Sequence, residues 1–330
     1  MERDINIDVL RGVTMLYIIF VIHGLCWFGF VPINSLFFSL LLFEMPVIFY
    51  ISGAALKLSK RKPFTTYLKS RILRVVIPYV VWAIITILIL SFVGDIKCDW
   101  KNIVLCKSLN SIPYVWHVWF IYPYLIISIL GFFLLKAFQK FGYIFLIIYV
   151  SCSVIAMAVL DVFELLITHD IIRSILVYSV FFVYGFTYKE SKYNIIHISC
   201  AILFIVAYIS LIVTHLYPYY TQSNKFPPNL EFLFFGGIAV SAVALFLPRI
   251  RLNGGGILLF ANKYGFELYL YQNYAMWIYA IIRLKYFTGL PIIFQYLLCI
   301  IFVTIILFPI AFLMNKLDNK LCKILNPKNE

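Results

Sequence analysis

Residues 9–31 read VLRGVTMLYIIFVIHGLCWFGFV, an apolar run broken only by Arg11 and His23. At 1.5 Å per residue a helix of this length covers about 35 Å, enough to cross a hydrocarbon layer of about 30 Å. The same arithmetic picks out nine further segments, at 34–57, 72–94, 115–138, 141–160, 171–188, 194–216, 231–248, 258–287 and 289–315. The segment at 258–287 is long enough to tilt or break. The long polar connections are 58–71, 95–114 and 217–230. The expected fold is therefore all-α, a polytopic membrane protein of about ten transmembrane helices. Residues 1–330 read as a single integral-membrane domain, with no soluble domain, linker or internal repeat.

Composition agrees. Hydrophobic residues make up 64% of the 330 residues and charged residues 12%, against about 25% charged in soluble domains. Mean hydropathy is +0.98. These values exclude a soluble globular enzyme and a disordered chain. Arg11 and the missing small-residue cleavage site argue against a cleavable signal. The net charge of +13 lies in short loops between apolar runs, which reads as topology rather than nucleic-acid binding. With ten crossings, 20 of the 27 Lys and Arg fall on the side that holds both termini. The positive-inside rule makes that side the cytoplasm. None of the seven Cys forms a CxxC pair, so a metal or redox motif is not expected. Cys98 and Cys106 share one polar loop and would pair only in an oxidising space.

Ionisable groups inside apolar spans cost about 2.5–3.5 kcal/mol at the bilayer centre, so each is a functional candidate. They are Arg11, His23, Glu44, His117 and Glu267. Arg11 suits a snorkelling interface residue or a site residue. His23 suits a hydrogen-bonded packing residue or a proton-transfer group. The stretch from Lys57 to Arg74 carries seven positive charges and no acid, which fits a topogenic loop beside anionic lipid. Arg71 and Arg74, three apart, would also present two guanidinium groups to a phosphate. Trp116-His117-Val118-Trp119-Phe120 reads as an aromatic belt with an unusual histidine in it. Pro46, after Glu44, frees a backbone carbonyl and predicts local irregularity in the second helix. Glu267 opens Glu267-Leu268-Tyr269-Leu270-Tyr271-Gln272-Asn273, a polar seam between helices or part of a site.

Five of these pieces, in order, resemble the integral-membrane acyltransferase-3 family. They are Asp8-Val9-Leu10-Arg11-Gly12 running to His23; Met45-Pro46-Val47-Ile48-Phe49-Tyr50-Ile51-Ser52-Gly53; Arg71-Ile72-Leu73-Arg74-Val75-Val76-Ile77-Pro78; His117-Val118-Trp119-Phe120; and Glu267-Leu268-Tyr269-Leu270. The resemblance implies a bacterial inner-membrane protein that O-acylates a carbohydrate, with acetyl-CoA as donor and no metal. It implies Arg11 and His23 as the essential pair, and Arg71 and Arg74, with Arg11, at the acyl donor. The acceptor would be a glycan or lipid-linked sugar, met by His117, Trp119, Glu44, Glu267 and Gln272. His23 would act as a general base or as a covalent acyl carrier. The partners expected are that acceptor and membrane lipid, with no nucleic acid. A transporter or flippase of an anionic sugar-lipid is the rival class on the intramembrane charges alone.

The chain departs from the family pattern twice. The family usually has ten residues between the Arg and the His, whereas eleven separate Arg11 from His23. A separation of eleven returns to within about 20° of the same helix face, and one of twelve ends about 120° away. That spacing predicts a one-residue π-bulge between Gly12 and Ile22. The second departure is Gln272, at a place where the family often has His.

Overall fold

The computed structural model describes residues 4–60, 62–93, 103, 115–162, 169–190, 194–250, 252 and 254–325. Among these residues every regular element is helical. They are α1 (Ile5–Trp27), α2 (Leu36–Leu40), α3 (Glu44–Leu58), α4 (Phe64–Val93), α5 (Trp116–Phe141), α6 (Tyr143–Val162), α7 (His169–Tyr184), α8 (Asn194–Val213), α9 (Thr221–Lys225), α10 (Leu230–Phe246), α11 (Gly256–Lys263), α12 (Gly265–Ile282) and α13 (Ile292–Leu325).

Eight helical stretches among the described residues are long and apolar enough to span a membrane. The other two expected spans take different forms. One is the shorter apolar stretch Ile171–Thr187. The other, at 258–287, is broken at Tyr264 into α11 and α12 and ends in a π-turn at Arg283–Phe287. The second expected helix is also divided, at the turn 41–43, so Pro46 falls in the first turn of α3. There its missing N–H would have no intrahelical partner, and the proline costs little. Gly142 (φ 59°) makes the left-handed turn between α5 and α6. Cys98 and Cys106 lie outside the described residues.

The chain divides into two compact units. The first takes its described residues from 1–14, 31–61 and 123–256. In it α3 and α7 approach closely enough that only glycine fits at the crossing. A Cβ on Gly53 would lie 1.8 Å from the Phe182 carbonyl oxygen, and one on Gly185 would lie 2.2 Å from that of Tyr50. Small residues let helix backbones meet in lipid, where contact between apolar surfaces gains nothing from expelling water. Polar groups pair across the same unit. Lys225 makes a buried ion pair with Glu44, and Thr221 donates to Glu231 at 3.1 Å. Tyr184 Oη lies 2.9 Å from His197 Nδ1 and 3.2 Å from Ser241 Oγ. Lys189 pairs with Asp4 at 2.6 Å.

The second unit takes its described residues from 15–30, 62–122 and 257–330. Here α12 and α13 pack side by side, and both meet α4. Phe260 stacks on Phe308 with centroids 4.9 Å apart. Besides Arg283–Phe287, two turns among the described residues of this unit are π-helical: Tyr17–His23 within α1 and Ile72–Val76 within α4. A donor from α13 reaches a backbone carbonyl in each. Tyr296 Oη donates to the Phe20 carbonyl at 3.0 Å, and Cys322 Sγ to that of Leu73 at 3.2 Å. These bonds help to hold the widened turns, whose hydrogen-bond ladder is locally interrupted.

Candidate active site

The π-turn lies where the eleven-residue spacing requires it. It absorbs one residue of α1, the one by which the Arg11–His23 spacing exceeds the family pattern. Arg11 is half-buried in the regular part of α1. His23 ends the π-turn and is 6% exposed.

The surroundings of His23, within the second unit, are aromatic. Trp27, one turn on, stacks on the imidazole at 4.5 Å with the planes 6° apart. Trp116 meets it edge-on at 5.7 Å, and the His117 ring lies 6.1 Å away. The short 3₁₀ turn Trp116–Phe120 that opens α5 brings this pair in. His117 is fully buried, with Nε2 3.4 Å from the Leu270 carbonyl, and Tyr269 Oη donates to the carbonyl of His117 itself. It therefore sits inside the aromatic box beside His23. Trp119, on the same turn, is half-buried.

α12 supplies a short polar contact to His23. Gln272 Oε1 lies 2.8 Å from His23 Nδ1, and Gln272 Nε2 donates to the Tyr269 carbonyl at 2.8 Å. On the same helix Asn273 Oδ1 accepts from Trp82 Nε1 at 3.3 Å. Glu267 is buried more than one turn earlier and accepts from Asn315 at 2.7 Å. Asp318 on α13 is buried, and neither carboxylate oxygen has a hydrogen-bond partner among the described residues.

The donor-side candidates lie just before and within the second π-turn. Arg71 ends the regular helix before it, half-buried, with its guanidinium 5.0 Å over the Tyr67 ring. Arg74 is exposed within the turn. The wider turn between them replaces the regular helical face expected from a spacing of three. Glu44 belongs to the first unit, 2% exposed and bound by Lys225. Sequence reading singled out His23, His117 and Gln272 separately. The structure gathers them in the second unit and adds Trp27, whose spacing of four from His23 was the available signal. Asn315 and Asp318 gave no signal, since they lie at and past the end of the apolar run of α13.

A buried imidazole held by a neutral amide inside an apolar helical bundle is a candidate site for proton transfer in a membrane-embedded protein. The family model described as an acyltransferase domain, that of the acyltransferase-3 family, matches residues 4–315. The chain belongs to this family and is an integral-membrane acyltransferase. No curated protein and no solved structure matches it.

Proposed function

We propose that the protein moves an acetyl or similar short acyl group from cytoplasmic acyl-CoA to a hydroxyl of a cell-surface or lipid-linked carbohydrate. In this reading it sits in the bacterial cytoplasmic membrane with both termini inside. Arg71 and Arg74, with Arg11, bind the CoA phosphates, since guanidinium groups match phosphate oxygens in charge and fork geometry. His23 takes the acceptor's hydroxyl proton. The alcohol oxygen bonds to the thioester carbonyl carbon and the C–S bond breaks. The imidazolium then returns the proton to the departing sulfur, giving the ester and free CoA thiol. Base catalysis of this kind contributes about 10²–10⁴-fold.

The observation that carries this reading is His23 itself, a buried imidazole held at one nitrogen by Gln272 in a chain of this family. The test is transfer of label from acetyl-CoA to membrane glycan by purified protein. His23→Ala should abolish transfer while the protein stays folded. Transfer at the unmodified rate by folded His23→Ala would overturn the reading.

A further inference from the structure

Two hydrogen bonds fix the protonation pattern of the site. The Tyr269 carbonyl oxygen can only accept, so the Gln272 group facing it at 2.8 Å is the amide nitrogen. That orientation turns Oε1, which also only accepts, toward His23 Nδ1 at 2.8 Å. Nδ1 must therefore carry the proton, and the lone pair of the neutral ring lies on Nε2. Gln272 is fully buried and its amide is set by its own helix, so the ring is presented to a rigid acceptor. Trp27 stacked on the ring plane limits its rotation.

We infer that Gln272 is a positioning residue that locks His23 in the Nδ1–H tautomer, leaving Nε2 as the only nitrogen that exchanges protons with substrate. The inference rests on the acyl-transfer reading only for its kinetic consequences. A carboxamide neither takes nor gives a proton at neutral pH, so charge cannot pass from Nδ1 into α12. The proton removed from the alcohol and the proton returned to the thiolate both travel through Nε2. Hydroxyl and thioester must therefore meet on the same edge of the ring. A carboxylate in place of the amide would still orient the ring, but it would also stabilise the imidazolium.

The test has two arms. In the first, ¹⁵N NMR of protein labelled at histidine reads the tautomer without reference to activity, with His23→Ala assigning the signal. A pyrrole-type signal at Nδ1 with a pyridine-type signal at Nε2 is expected, and the reverse pattern overturns the inference. Gln272→Leu should lose this single pattern. In the second arm, Gln272→Leu should lower kcat by about 10–100-fold with little change in KM for acyl-CoA, because ring orientation matters to the transition state more than to donor binding. Gln272→Glu should retain more activity than Gln272→Leu and move the acid limb of the rate–pH profile upward by at least about one pH unit. His117 and Tyr269 are titratable groups that face the ring, and both remain in these variants. An unmoved profile in folded, active Gln272→Glu overturns the inference. If the unmodified protein transfers no acyl group, the functional reading falls, and the NMR arm still decides the tautomer.

Discussion

The π-turn in α1 makes a quantitative prediction. Residues 17–23 hold one residue more than a regular helix of the same rise needs. Removing one of them should let the turn relax to regular α-helix without rotating the two ends of α1 against each other. Val21 is the residue to delete, since it is half-buried and its neighbour Phe20 supplies the carbonyl bound by Tyr296. Adding a residue earlier, an alanine after the exposed Val13, has the opposite effect. It turns everything before it by about 100° about the helix axis. At a side-chain radius of about 5–6 Å, that swing carries the head group of Arg11 through about 8 Å. A misplacement of 1 Å in a catalytic arrangement can already cost about 10²-fold. The insertion should therefore lower acyl transfer by at least about 10²-fold. The Val21 deletion should stay within about tenfold of the intact chain. Label transfer from acetyl-CoA, with thermal unfolding as the check on folding, measures both. A folded Val21 deletion as inactive as the insertion, or a fully active insertion, would refute the register argument.

Two further outcomes follow from the first unit. Lys225→Met leaves the Glu44 carboxylate buried without its cation, and removing one partner of such a pair costs about 3–5 kcal/mol. Lys225→Met with Glu44→Gln together should recover much of that loss in thermal unfolding, and no recovery would mean that the pair is not the source. Asp4 is the pH-dependent case. Burial opposes its charge, yet the Lys189 ammonium and the Ile7 N–H outweigh burial and hold its carboxyl below the ordinary value of 3.8. A carboxyl lowered on folding adds stability above its unfolded value, and that stability is lost as pH falls through the lower folded value. Asp4→Asn should therefore lower the melting temperature at neutral pH, and the gap should close as the medium is taken below pH 3.8. A gap that persists in acid would assign the loss to packing.

Much of this was legible along the chain. The apolar runs gave the helices because a segment in lipid must satisfy its own backbone groups, and a helix does so locally. The break at Tyr264 and the division before Glu44 were foreshadowed by an over-long segment and by Pro46. The π-turn was legible as arithmetic, one residue too many between Arg11 and His23. Gln272 was the hardest residue to read, since along the chain it shows only as a departure from the family pattern. The partner that gives it meaning lies 249 positions away.

By itself the sequence determined the helical, membrane-spanning architecture, the family and the identity of the ionisable groups that lipid should exclude. Those properties follow from local hydropathy and helical period, which act over one or two turns. Only the tertiary structure decided that Gln272 faces His23, that Lys225 neutralises Glu44, and that α13 reaches the carbonyls of two π-turns. Such pairings are set by which helix faces meet. Helix contact in a bilayer depends on shape and polar matching across the fold, and no local pattern in the chain records it.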